Sequence, residues 1–76
     1  MAHLIVIRPS GFGWSLESDA FANALTFRSG AEAERAAQRL AERYAGAGED
    51  AEVRIYLRDG SLAGRHRYSP SRALAS

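Results

Sequence analysis

Polar and apolar positions along the chain change period several times, and each change marks an element. "HLIVIRP" at residues 3–9 opens with four consecutive aliphatics, three of them β-branched, and stops at Pro9. A run that short and apolar on both sides predicts a central strand. "PSGFG" at 9–13 supplies a reversal, with Phe12 at its tip either exposed or folded back. In "WSLES", Trp14 and Leu16 alternate with Ser15 and Glu17, the period of a half-buried strand. "DAFAN" reads as a second turn, and "ALTF" as a third strand or an extended loop.

The period then becomes helical. Ser29 followed by Glu32 matches a capping box, in which the two side chains satisfy orphan backbone N–H groups. Ala33, Ala36, Ala37, Leu40, Ala41 and Tyr44 fall on one stripe, with Glu34, Arg35, Gln38, Arg39, Glu42 and Arg43 opposite. Gly46 and Gly48 end the helix. Its apolar stripe is mostly alanine, so it can lie close to a sheet while adding little apolar area.

Two alternating runs follow around Asp59-Gly60, the signature of a two-residue type I′ hairpin. That turn sets Arg58 opposite Ser61, Leu57 opposite Leu62, Tyr56 opposite Ala63, Arg54 opposite Arg65, Val53 opposite His66 and Glu52 opposite Arg67. Val53, Ile55, Leu57, Leu62 and His66 then share the inner face, while Tyr56, Arg54, Arg58, Arg65 and Arg67 share the outer one. The sum is a single α+β domain over residues 1–70 with order ββ(β)αββ. It is expected to be a mainly antiparallel sheet of four or five strands with one helix packed on one face. Residues 71–76 read as a disordered tail. Trp14, Phe21, Phe27, Leu40 and Tyr44 are expected to supply much of the core, with Trp14, Leu16, Leu40, Val53, Ile55 and Leu57 largely buried.

At 76 residues and without cysteine, the chain has neither disulfides nor a thiolate metal site to staple it, so an apolar core must hold it. No apolar run is long enough for a membrane span, and no charged-then-apolar leader precedes the first strand. A cytoplasmic protein without a membrane partner is the resulting expectation. All ten basic residues are arginine, which together with abundant alanine points to a GC-rich, bacterial coding sequence. The net charge of +1 excludes strong global attraction to nucleic acid. Charge is nevertheless uneven. Residues 53–68 carry four arginines against Asp59, whereas 29–52 carry six acidic residues against three arginines.

The order "GWSL" at 13–16, "SGAEA" at 29–33, "EVRIYLRDGSL" at 52–62 and Tyr68 resembles a family of short bacterial domains, domain-of-unknown-function family 2188. The resemblance covers most of residues 4–68 and implies the fold. It brings no activity and no site residue, and the arginine-rich hairpin and the longer "SDAFANALTF" connection depart from the pattern.

Catalysis finds no motif. Neither Ser10 nor Ser15 sits in a nucleophile elbow, and "GFG" lacks the lysine and hydroxyl of a phosphate loop. His3 and His66 come near each other only if the first and last strands are neighbours, and two histidines are too few for a metal site. His66 therefore reads as a core histidine, and no cofactor is expected. The candidate anion or nucleic-acid face is Arg54, Tyr56, Arg58, Arg65 and Arg67. Guanidinium groups around an exposed tyrosine suit phosphates and a stacked base. The plainer reading pairs Glu52 with Arg67 and leaves the remaining arginines solvated or stacked on Tyr56. The expected function is a non-catalytic binding module for a protein partner or a second copy of itself, with nucleic-acid binding through that face as the alternative.

Overall fold

The computed structural model describes residues 2–70; the tail expected at 71–76 lies outside them. Strands β1 (His3–Ser10), β2 (Gly13–Ser18) and β3 (Leu25–Phe27) precede helix α1 (Gly30–Gly46), and β4 (Ala51–Tyr56) and β5 (Leu62–Tyr68) follow it. The sheet order is β3-β2-β1-β4-β5, so the doubly apolar "LIVI" run does form the central strand.

One pairing changes the expected architecture. β1 runs antiparallel to β2 but parallel to β4, so the sheet is mixed. Two reversals bring β3 back to the direction of β1. The 17-residue α1 then retraces the sheet, at about 1.5 Å per residue, and releases β4 in that same direction. β1, apolar on both sides, is flanked by β2 and β4.

Helix α1 begins where the capping signal placed it. Ser29 is extended at φ −132°, and its Oγ accepts the Glu32 N–H at 3.1 Å, a cap that contributes about 0.5–2 kcal/mol. The far end closes in a Schellman arrangement: Gly48, at φ +87°, donates to the Ala45 carbonyl and Glu49 donates to that of Tyr44. The alanine stripe does lie close, with Ala33, Ala37 and Ala41 fully buried against Ile5, Ile7, Leu16, Ala51 and Val53. The large aromatics are more peripheral than expected. Trp14, Phe27, Leu40, Tyr44, Ile55 and Tyr68 are half-buried around that centre, and Phe21 is exposed.

The last hairpin follows the expected register from Glu52/Arg67 to Ile55/Gly64, then departs from it. Tyr56 pairs with Leu62 rather than Ala63, across a register shift. A type I′ turn needs positive φ at both central residues. Among the described residues only glycines have it, and here that is Gly60 at +91°. Gly60 donates to the Leu57 carbonyl and Leu57 donates to that of Ser61, which gives a three-residue loop over 58–60. Asp59 fixes it by accepting from the Ser61 N–H at 2.9 Å and from its Oγ at 2.6 Å. Leu57 thus leaves the strand and, like Leu62, is about half exposed, contrary to the inner-face expectation.

Candidate functional site

Helix α1 covers one face of the sheet, and no element among the described residues covers the other. The registers lay the uncovered face out as a grid. Leu4, Glu52 and Arg67 lie across β1, β4 and β5. The next row is Glu17, Val6, Arg54 and Arg65 from β2 to β5. Ser15, Arg8, Tyr56 and Leu62 form the third, with Tyr56 next in step after the last β1/β4 pair.

Arg54, Tyr56, Arg65 and Arg67 therefore share this face, and Arg54 stands opposite Arg65 as expected. Arg58 does not join them, because the three-residue loop carries it into the turn. Glu52 relieves part of the repulsion. Its carboxylate, with a side chain only 12% exposed, accepts from Arg54 Nε at 2.5 Å and lies 3.9 Å from Arg67 Nε. The Arg54 guanidinium holds Glu52 below the usual carboxylate range, and Glu52 in turn raises Arg54. Arg65 makes no ion pair among the described residues.

Sequence reading missed Arg8. Its guanidinium lies 5.6 Å from the centre of the Tyr56 ring and 3.7 Å from Glu17. Nothing in the sequence pairs residue 8 with residue 56, because that contact depends on the parallel β1/β4 register. Val6 is only 9% exposed although no second layer covers it. The long stems of its neighbours Arg8, Glu17 and Arg54 can extend over it while their charged ends stay in water.

No family model, no curated protein and no solved structure matches this chain. The residues alone carry the reading.

The histidines fall far from the expected arrangement. β5 is separated from β1 by β4, so His66 is not beside His3, and it is exposed rather than in the core. His3 instead sits between two carboxylates. Nδ1 lies 3.1 Å from Asp19 Oδ2, and Nε2 hydrogen-bonds Glu49. The ring stacks on Tyr44 at 3.9 Å between centroids, and the Tyr44 hydroxyl donates to Asp19 at 3.2 Å. Local structure explains the gathering. The Schellman closure sets Glu49 one turn from Tyr44, and the Ser18 hydroxyl, accepting the Ala20 N–H, shapes the turn that carries Asp19. The carboxylates bond opposite edges of the ring, an arrangement for an imidazolium donating twice. Among the described residues no such side chains group to hold a metal ion.

This clasp joins the start of β1, the β2–β3 turn and the end of α1, and it makes stability depend on pH. The hydrogen bonds to Glu49 and then Asp19 raise His3 above its ordinary 6.5, and the His3 hydrogen bond lowers Asp19 below 3.8. The His3 contribution is complete below pH 6.5 and is lost as pH rises through the raised pKa. That of Asp19 is present above 3.8 and is lost as pH falls through the lowered one. Urea-unfolding midpoints should therefore be highest between pH 3.8 and 6.5 and fall over the alkaline interval that begins there. His3→Gln should flatten the alkaline decline. A wild-type midpoint that rises across that interval would contradict the clasp.

Proposed function

We propose that this chain is a non-catalytic binding module whose uncovered sheet face docks a protein partner bearing carboxylates. The observation that carries the reading is the charge on that face, four arginines (Arg8, Arg54, Arg65 and Arg67) against Glu17 and Glu52. Arg54 and Arg65 are neighbours across two strands, where like charges repel, and a partner's carboxylate between them relieves the repulsion. Leu4, Tyr56 and Leu62 supply the apolar contact that an interface core requires.

A second copy of the chain suits this face poorly. Stacking it on itself sets arginines against arginines, and pairing two β5 edges brings Arg65 and Arg67 toward their own mates, a recognised guard against edge association. Nucleic acid is favoured by the guanidinium groups flanking Tyr56. It is disfavoured by the aliphatic character of the remaining apolar positions, because single strands stack on aromatic rings and this face has one, with Arg8 already against it. The composition accords with a bacterial cytoplasmic setting.

The test is fluorescence anisotropy at low and moderate salt with three labelled probes: a peptide alternating glutamate and leucine, its lysine counterpart, and oligothymidylate. The glutamate peptide should bind and the lysine peptide should not. Arg54→Ala with Arg65→Ala should weaken the glutamate peptide at least about tenfold and reduce the salt dependence, while the fold is retained and thermal stability falls only modestly with loss of the Arg54–Glu52 ion pair. Tighter binding of oligothymidylate than of the glutamate peptide would transfer the face to nucleic acid. Absence of glutamate-peptide binding at low salt would overturn the reading.

A further inference from the structure

The two parallel strands diverge at their carboxyl ends. After β1 the chain turns away toward β2, and after β4 it turns the opposite way toward β5. In open α/β sheets ligands bind at such a point, where the connections leaving neighbouring parallel strands part; here the two connections that part are hairpins. This sheet has one such point, between β1 and β4.

A cleft of about 380 Å³ lies there, lined by Arg8, Pro9, Tyr56, Leu57, Arg58 and Gly60. That volume falls at the lower end of small-molecule sites. Its lining is chemically lopsided, with two guanidinium groups and no carboxylate. Asp59, the acidic residue nearest in sequence, is turned to the Ser61 N–H and hydroxyl. Glu17 reaches Arg8 only at 3.7 Å, and Arg58 makes no ion pair among the described residues. Tyr56 and the half-exposed Leu57 give the cleft an apolar side. A second cleft of equal volume at the same end, lined by Phe12, Trp14, Phe27 and Arg28 among others, gathers a single cation and offers no comparable charge.

We propose that the β1/β4 cleft binds a small phosphate monoester, the phosphoryl group between Arg8 and Arg58 and its organic part along Tyr56 and Leu57. Two guanidinium groups match a dianion better than a monocarboxylate, because each forks onto a pair of oxygens and the second negative charge finds its own partner. Arg8 is already held against the Tyr56 ring, which limits the ordering that binding demands. Arg58, excluded from the outer face by the three-residue loop, lines the cleft instead. The site shares Arg8 and Tyr56 with the docking face but does not depend on a protein partner.

The test is titration of ¹⁵N-labelled protein with phenyl phosphate, benzoate, inorganic phosphate and benzyl alcohol at low salt. Phenyl phosphate should saturate and move amide signals at Arg8 and from Tyr56 to Gly60, binding at least fivefold tighter than benzoate or inorganic phosphate, with benzyl alcohol inert. Arg8→Gln with Arg58→Gln should lose at least tenfold in affinity while retaining the wild-type spectrum elsewhere. Binding of the glutamate peptide through Arg54 and Arg65 is a separate readout, so either site can fail alone. Equal affinity for benzoate would overturn the phosphate assignment. Shifts scattered over the helix arginines Arg35, Arg39 and Arg43 that survive the double change, or no saturable shift at all, would overturn the site.

Discussion

Leu16→Ala should lower the unfolding free energy by about 2–5 kcal/mol, read from urea denaturation. Among the described residues, Leu16 is one of three large side chains that are fully buried, with Ile5 and Ile7. The helix facing it presents Ala33, Ala37 and Ala41, which have no side-chain length with which to refill a cavity. A chain of this size has total stability on the order of 4–11 kcal/mol, so the loss is a large share of the whole. The half-buried Leu40, by contrast, should cost less when truncated. If Leu40→Ala proves the more damaging of the two, the close helix–sheet packing described above is wrong.

Gly13→Ala should be nearly as severe for a different reason. A Cβ at this position would stand 2.3 Å from the Phe27 carbonyl oxygen, and that atom belongs to the backbone of the neighbouring strand. Relief requires β3 to move away from β2, with a loss of about 1–3 kcal/mol or more. The measurement is amide hydrogen exchange at Leu25–Phe27, which should become fast in the variant while β1 and β4 stay protected. Gly46→Ala serves as the control. It lies in the helix with open space around it, so the substitution should be neutral or stabilising by about 0.5–1 kcal/mol. Unchanged protection of β3 in Gly13→Ala would contradict the close approach.

Much of the fold was readable because local signals agreed with one another. Ser29 and Glu32 placed the helix start, "LIVI" placed the central strand, and alternation placed Arg54 opposite Arg65, all as observed. The failures have physical causes. Strand direction across a helical connection leaves no mark in hydrophobic alternation, so the parallel β1/β4 pair was invisible, and with it Arg8 beside Tyr56 and the cleft between their ends. Asp-Gly suits both the two-residue turn and the three-residue loop, and here Asp59 keeps negative φ while bonding Ser61. That one difference exposed Leu57 and moved Arg58 from the face to the cleft. The His3 clasp joins residues 16, 41 and 46 positions distant in the chain, beyond any local period.

The central claim is that the uncovered face of the sheet, rather than the helix, meets the partner. Arginine Nε–H signals report it most directly, because the two surfaces carry different arginines. In ¹⁵N-edited spectra with the glutamate–leucine peptide added at low salt, the signals of Arg54, Arg65 and Arg67 should shift and saturate together. Those of Arg35, Arg39 and Arg43 on α1 should stay in place. Saturable movement of the helix arginines with the sheet arginines unchanged would contradict the account.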